Sequence, residues 1–135
     1  MDSSRLFSFE NLEVYKYARE LVKRIYVLQS KFPIEERYAL GDQIRRSAVS
    51  ITSNIAEGSG RNSYKEKIHF LEIAFGSMAE SFSQLQIAQD LGYIDQSEID
   101  SIRPLFNKVA GYLTGLRNSF ERKVSTAQPT LTVNP

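Results

Sequence analysis

The sequence predicts an all-α protein, an antiparallel up-down-up-down four-helix bundle. Apolar residues recur at alternating steps of three and four in four separate segments, which is helical spacing. No segment shows the two-residue alternation that is typical of a half-buried β-strand. Because short connections separate the four amphipathic helices, antiparallel packing of neighbours is the most economical arrangement. The expected bundle covers residues 9–123, between a flexible arm at residues 1–8 and a disordered tail at residues 124–135.

The first helix is predicted from Asn11 to Lys31, with one apolar face. Its apolar positions are Val14, Ala18, Leu21, Ile25, Leu28 and Phe32. Pro33 sets the end of this helix because the proline ring disfavours the α conformation at the residue before it.

The second helix, predicted from Glu35 to Glu57, carries two parallel stripes at helical spacing. Its apolar stripe is Ile44, Ala48, Ile51 and Ile55. Its polar stripe is Gln43, Ser47, Ser50, Asn54 and Glu57. A solvated helix face usually carries Lys and Glu, whereas most of these side chains are small and are mediocre helix formers. We therefore predict a hydrogen-bonded seam between helices or between subunits, the alternative being a solvated face.

Capping patterns mark the starts of the third and fourth helices. Residues 63–66 and 95–98 match the capping box, and Gly92 predicts the end of the third helix. The predicted apolar seam of the third helix is Ile68, Leu71, Phe75, Met78, Phe82 and Leu85. The predicted seam of the fourth helix is Ile99, Ile102, Phe106, Val109, Leu113, Leu116 and Phe120. Pro104 lies inside the fourth helix, so we expect a kink or a broken first segment near it.

The composition excludes several classes of chemistry. With no Cys in 135 residues, the chain has no disulfide, no Cys-ligated zinc and no thiol nucleophile, which fits a reducing cytoplasm. No apolar run approaches the roughly 20 residues that span a bilayer, and the N-terminus lacks a signal-peptide layout. We therefore expect a cytoplasmic protein that makes no membrane contact.

No residue pattern predicts an active site or a metal centre. Glu66 and His69 have the Glu-x-x-His spacing of di-iron bundle proteins, but His69 is the one histidine and such a site needs two motifs. The glycine turn at residues 58–61 lacks the preceding strand and the Gly-Lys-Ser/Thr of a phosphate loop. No metal motif accompanies the carboxylates Glu57, Glu72 and Glu80, so these three residues are weak evidence for acid-base catalysis. We predict no enzymatic activity, no metal, no cofactor and no small-molecule substrate.

Charge is distributed unevenly along the chain, although the net charge is only +1. Residues 1–62 sum to +2, residues 63–100 to −5 and residues 101–135 to +4. Such segregation creates a basic face, or makes neighbouring helices or subunits attract one another. The candidate nucleic-acid-binding residues are Arg45, Arg46, Arg61, Lys65, Arg117, Arg122 and Lys123.

Several segments of the chain resemble a known family. These are residues 41–58, Arg61, residues 70–77 and residues 91–93. They are similar to four-helix bundle proteins associated with intervening sequences in bacterial 23S ribosomal RNA genes, also called the S23 ribosomal protein family. The resemblance covers residues 9–122. Accessory variability proteins of diversity-generating retroelements are distant relatives of this family.

The resemblance implies a ring-shaped homopentamer with no known enzymatic activity. In the retroelement relatives, the basic pentamer surface binds nucleic acid and a reverse transcriptase. Two interpretations of this chain follow. It is a self-assembling helical scaffold that binds RNA or an RNA-associated protein, or it is a protein-protein adaptor ring with no nucleic-acid role.

Overall fold

The structure, a computed structural model, describes residues 7–127 of the chain. Within these residues it contains four α-helices, two short 3₁₀-helices and no strand, which confirms the all-helical prediction. In chain order the elements are a 3₁₀-helix Ser8–Asn11, α1 Glu13–Gln29, a 3₁₀-helix Ile34–Glu36, α2 Leu40–Ser59, α3 Tyr64–Asp90 and α4 Gln96–Ala127. Helix α4 takes in residues 124–127, which the sequence assigns to the tail. The rest of that tail and residues 1–6 of the arm lie outside the described residues.

An apolar core lies between the four helices. Helix α1 packs against α2 and α4, and α3 packs against the same two helices. The large apolar side chains that are almost completely buried come from all four: Leu21, Ile25, Ile44, Ile51, Ile55, Leu85, Ile99, Ile102, Val109 and Leu113. Burying one such side chain stabilises the folded state by about 1.5–3 kcal/mol relative to leaving it exposed. The conformational entropy lost on folding opposes this gain. The apolar stripe predicted on α2 is part of this core.

Residues early in one helix contact residues late in the neighbouring helix. Tyr64 at the start of α3 stacks on Phe120 near the end of α4, whereas Phe82 packs edge-on against Phe106. Between α2 and α3, the earlier residue of α2 contacts the later residue of α3: Ser47 contacts Gln84, and Ser50 contacts Ser77. The same reversal relates α1 and α4, where Tyr17 contacts Tyr112 and Arg24 contacts Ser101. The start of α3 and the end of α4 therefore lie side by side.

The predicted caps are present at both helix starts. Ser63 precedes α3, and its hydroxyl accepts a hydrogen bond from the backbone N–H of Glu66 at 3.1 Å. Asp95 accepts one from the N–H of Glu98 at 2.9 Å, and Glu98 accepts one from the N–H of Asp95 at 3.0 Å. Gly92 has a φ of +83°, a left-handed conformation that glycine adopts without strain. Local chemistry thus fixes where α3 begins and where the chain turns into α4.

The second helix begins five residues later than predicted. Instead of continuing from Glu35, the chain forms the 3₁₀-helix Ile34–Glu36, and α2 starts at Leu40. The carboxylate of Glu36 accepts a hydrogen bond from the N–H of Leu40 at 3.2 Å. The backbone carbonyl of Glu36 approaches Gly41 so closely that an added Cβ would lie 2.8 Å from its oxygen. These contacts fold the connection back on the start of α2, which a continuous helix would not allow.

The buried face of α3 differs from the predicted seam. Phe75 is 42 % exposed, so its assignment to the core is wrong. Ala74, Ser77 and Ser81 are buried instead. Their small side chains let α3 approach α2 closely, and the serines find hydroxyl partners there. The predicted seam favoured large apolar side chains and therefore missed a face built from small ones.

Helix α4 runs through Pro104 without a break, so the predicted broken segment is wrong, and the alternative of a kink stays a prediction. Proline removes the N–H that would bond the carbonyl four residues earlier, which belongs to Asp100. Both residues are exposed, and water can therefore satisfy the freed carbonyl.

Candidate nucleic-acid interface

The polar stripe of α2 places one serine deep between two helices. Ser47 is 4 % exposed, and its hydroxyl lies 2.8 Å from the hydroxyl of Ser81 and 2.7 Å from Oε1 of Gln84, both on α3. Gln84 in turn donates a hydrogen bond to Glu80 at 3.2 Å. Buried polar groups that satisfy one another avoid the penalty that each would carry alone.

The rest of the stripe divides between the α2–α3 contact and the surface. Ser50 lies 2.8 Å from the hydroxyl of Ser77, and Asn54 donates hydrogen bonds to the carbonyl and the hydroxyl of Ser50 at 2.8 and 2.9 Å. Gln43 and Glu57, the two ends of the stripe, are exposed. The structure therefore places Ser47 and Ser50 against α3, bonds Asn54 back to Ser50 within α2, and leaves both ends of the stripe exposed.

The seven candidate nucleic-acid-binding residues fall into two groups. Five lie where the end of α2, the start of α3 and the end of α4 meet: Arg61, Lys65, Arg117, Arg122 and Lys123. These five are called the basic end patch below. Arg45 and Arg46 lie in the first turns of α2, at the opposite end of that helix. The structure therefore does not bring all seven together.

Two stacked aromatic rings join the helices that carry the basic end patch. The rings of Tyr64 on α3 and Phe120 on α4 have centroids 5.5 Å apart and an interplanar angle of 27°. The Nζ of Lys123 lies 5.4 and 5.7 Å from these two centroids. A cation–π contact such as that of Lys123 stabilises a structure by about 0.5–1 kcal/mol at an exposed site. These ring contacts hold Lys123 and the end of α4 against the first turn of α3, the turn that contains Lys65.

Arg61 is neutralised by two carboxylates at the α2–α3 turn. Its guanidinium lies 2.6 Å from Glu57 and 3.9 Å from Glu66, and 4.7 Å from the ring centroid of Phe70. Its Nε is buried without a hydrogen-bond partner. Because both carboxylates offset its charge, Arg61 stabilises the α2–α3 turn and adds little to the positive potential of the basic end patch.

Arg117 is neutralised in the same way between α3 and α4. Its Nε lies 2.9 Å from Glu72, and its guanidinium also lies 3.8 Å from Glu121. These side chains are 40–50 % exposed, and surface ion pairs contribute only about 0–1 kcal/mol. Arg117 therefore links two helices and offers little free charge.

Three cations of the basic end patch have no carboxylate partner among the residues that the structure describes. They are Lys65, Arg122 and Lys123, and all three are exposed. Lys67, which no sequence pattern indicated, lies in the same first turn of α3 and donates a hydrogen bond to the carbonyl of Ser59 at 3.1 Å. The unpaired N–H groups at the start of α3 add partial positive charge beside them.

The second group is also partly neutralised. Arg45 and Arg46 lie 3.8 and 3.3 Å from Asp42, and Arg45 donates a hydrogen bond to the carbonyl of Arg37 at 2.7 Å. The side chain of Arg46 is 80 % exposed, whereas that of Arg45 is 25 % exposed. Arg45 therefore fixes the start of α2, and Arg46 faces solvent.

The part of the chain that the structure describes shows neither a metal cluster nor a membrane span. Between residues 7 and 127, no three His, Asp or Glu side chains lie close enough together to hold an ion. His69 is exposed and packs edge-on against Phe70, with centroids 5.3 Å apart. Glu57, Glu72 and Glu80 bind three different partners. None of the described helices combines the length and hydropathy of a bilayer-crossing segment.

Four helices around an apolar core, with a cationic patch at one end, define an all-α protein of the four-helix type. The family described as 23S rRNA-intervening sequence protein matches residues 10–115, and the chain belongs to this family. The chain is also similar to a crystal structure of a protein of unknown function from the S23 ribosomal protein family of Bacteroides thetaiotaomicron VPI-5482. The two share 25 % identity with a TM-score of 0.69, over 77 % of this chain and 97 % of that chain.

No protein with curated annotation matches the chain in sequence. Neither the family description nor the description of the Bacteroides protein names an enzymatic reaction.

Proposed function

We propose that this protein is a non-enzymatic, self-assembling helical scaffold with weak affinity for RNA. Its four helices form an antiparallel up-down-up-down bundle, and the bundles assemble into a homopentamer. The reversed order of contacts between α2 and α3, between α3 and α4, and between α1 and α4 supports this topology. The ring and a distant relation to retroelement accessory proteins rest on the family resemblance, and a cytoplasmic location rests on the absence of Cys and of a signal-peptide layout.

The single observation that carries RNA binding is the unneutralised part of the basic end patch. Lys65, Arg122 and Lys123 are exposed and lack carboxylate partners among the described residues, and Lys123 lies over the stacked pair of Tyr64 and Phe120. Cations in this arrangement bind phosphate oxygens and release the counterions that surround RNA. The positive end of the α3 dipole lies next to them and favours the same anions.

One patch alone binds weakly, because the net charge of the chain is only +1 and both Arg61 and Arg117 are neutralised. A ring repeats the patch in every subunit. When one RNA reaches several patches, the second contact becomes intramolecular and the apparent affinity rises by orders of magnitude. Self-assembly and RNA binding are therefore coupled in this proposal.

The test is a gel-retardation series with single-stranded and structured RNA at increasing salt. We expect the affinity of the unaltered protein to fall with a log-log slope of about −0.7 per phosphate contact. The triple variant Lys65→Ala, Arg122→Ala, Lys123→Ala should bind roughly tenfold more weakly, because it loses up to three phosphate contacts. Its salt slope should be shallower for the same reason.

A matched control removes three exposed cations elsewhere and leaves the basic end patch intact. Lys16→Ala, Arg37→Ala, Arg103→Ala changes the net charge equally, and its affinity should stay within about twofold of the unaltered protein. Equal losses in both triple variants would contradict a defined patch. Absence of any retardation at low salt and tens of micromolar protein would favour the adaptor ring with no nucleic-acid role.

A further inference from the structure

A groove between α1 and α2 exposes apolar side chains. Its volume is about 680 Å³. Tyr26 and Val27 line it from α1, and Val49 lines it from α2. These three side chains are 39 %, 57 % and 42 % exposed. Apolar area of this kind, gathered on two neighbouring helices, is typical of an interaction surface rather than of scattered surface residues.

The rim of this groove is basic. Arg19 and Lys23 line it from α1, and both are exposed. Neither forms an ion pair with a carboxylate of the described residues, and no Asp or Glu of those residues lines the groove. A partner that covers the apolar floor therefore also meets two cations whose charge the chain does not offset. An occupant with apolar side chains and an acidic residue fits both features.

The outer side of α3 has that complementary composition. Ile73, Gly76, Glu80, Ser83 and Ile87 follow one another at steps of three and four, and all five are exposed. We call this line the outer seam of α3. Its spacing is that of a helix-packing seam, yet it points away from the core. The two isoleucines are 37 % and 47 % exposed.

Three details make the outer seam suitable for docking. A Cβ added at Gly76 would meet no atom within 4 Å, so the seam is open for close approach. Glu80 contacts Gln84 but no cation among the described residues, and Asp90 lies exposed at the same outer side. Ile73 and Ile87 lie 14 residues apart, about 21 Å along the helix.

We propose that the α1–α2 groove receives the outer seam of α3 from a second copy of this chain. The seam isoleucines bury against Val27 and Val49, and Glu80 meets Arg19 and Lys23 at the rim. This inference rests on the self-assembly proposed above and names the surfaces that carry it. The apolar side chains select a protein occupant over RNA, because phosphates would pair with the rim but leave the apolar side chains of groove and seam in water. Charge complementarity between Glu80 and the basic rim favours the outer seam of α3 as that occupant.

The contact is heterologous because groove and seam belong to different helices. Each copy uses its groove toward one neighbour and its seam toward the other. Repetition of such a contact closes a ring when the rotation between copies divides a full turn. A two-fold symmetric dimer, in which one surface meets itself, is a different arrangement.

A mixing experiment separates these arrangements. The groove variant is Val27→Arg with Val49→Arg, and the seam variant is Ile73→Arg with Ile87→Arg. All four side chains are exposed in the single chain, so circular dichroism should show unchanged folding. Each variant alone should have the 15.4 kDa mass of one chain by light scattering. An equimolar mixture should give twice that mass and nothing larger, because one intact groove then meets one intact seam.

The matched control places two arginines elsewhere on the surface. Thr114→Arg with Asn118→Arg on exposed positions of α4 should assemble like the unaltered protein. A charge exchange gives a second readout. Lys23→Glu and Glu80→Lys should each raise the dissociation constant between subunits about tenfold, and the two changes in one chain should restore it.

Three results would overturn the inference. Groove and seam variants that assemble like the unaltered protein would place the interface elsewhere, while leaving the proposed self-assembly intact. A groove variant of unchanged mass that no longer retards RNA would assign the groove to RNA. A monomeric unaltered protein would refute self-assembly itself, and with it this interface.

Discussion

The hydroxyl of Tyr93 donates a 2.6 Å hydrogen bond to the carboxylate of Glu36, 57 positions earlier in the chain. It joins the α3–α4 connection to the 3₁₀-helix that precedes α2. The ring of Tyr93 also packs on Phe32, with centroids 5.5 Å apart. This contact closes the end of the molecule that lies away from the basic end patch.

Replacing Tyr93 by Phe should lower the melting temperature, because it removes the hydrogen bond and keeps the ring. The bond to Glu36 raises the pKa of Tyr93 above its ordinary value of about 10. A raised pKa in the folded state means that the hydrogen bond contributes fully to the stability of the fold below pH 10. This contribution is lost as pH rises through the folded-state pKa of Tyr93. The difference in melting temperature between the two proteins should therefore be constant near neutral pH and shrink in alkali. Tyr38→Phe, at a position that is 85 % exposed, is the control and should change nothing.

Replacing Ser47 by Ala should destabilise the fold by about 1–3 kcal/mol, because the hydroxyl of Ser81 and the amide oxygen of Gln84 lose a buried partner. Urea unfolding of the variant measures this free energy. Ser53→Ala on the exposed side of the same helix should stay within about 0.5 kcal/mol of the unaltered protein. Equal stability of both variants would show that the seam contributes nothing to folding.

Replacing Gly58 by Ala should destabilise the fold by about 1–3 kcal/mol through overpacking. An added Cβ would lie 2.9 Å from the Cβ of Phe70, so α2 and α3 would have to separate. Gly115→Ala is the matched change inside α4, where an added Cβ meets no atom within 4 Å. There the substitution should stabilise by about 0.4–1 kcal/mol, since alanine loses less backbone entropy than glycine. Thermal unfolding of both variants should therefore give shifts of opposite sign.

Much of the helical organisation could be predicted from the sequence because its signals are local. The capping residue Ser63, the pair Asp95 and Glu98, and the glycine at position 92 act within a few residues of their own positions. Apolar periodicity likewise needs no knowledge of neighbours, and it identified the core positions of α1 and α2. Such features depend on backbone chemistry that one segment contains by itself.

Features that depend on two distant segments could not be predicted. The late start of α2 depends on the turn around Glu36, whose carboxylate also accepts a hydrogen bond from Tyr93, 57 positions later in the chain. The exposure of Phe75 depends on how closely α3 approaches α2, which small serines on both helices permit.

The candidate site shows the same limit. Sequence identified the cations but not their partners, so Arg61 and Arg117 were grouped with Lys65 although carboxylates neutralise them. Lys67 was overlooked because a single lysine beside Glu66 carries no distinctive pattern.

Glu72, the partner of Arg117, lies on another helix, and no local pattern indicates that pair. Glu57 and Glu121 lie only four positions from Arg61 and Arg117, so the local spacing did contain those two partners.

A repeating scaffold requires that several copies of this small bundle assemble in solution. Light scattering of the purified protein at tens of micromolar, in buffer of physiological salt, tests it most directly. We predict a single species of about 77 kDa, five times the 15.4 kDa chain mass, with the same value over a tenfold range of concentration. A single species of 15.4 kDa over that range would contradict self-assembly of this protein.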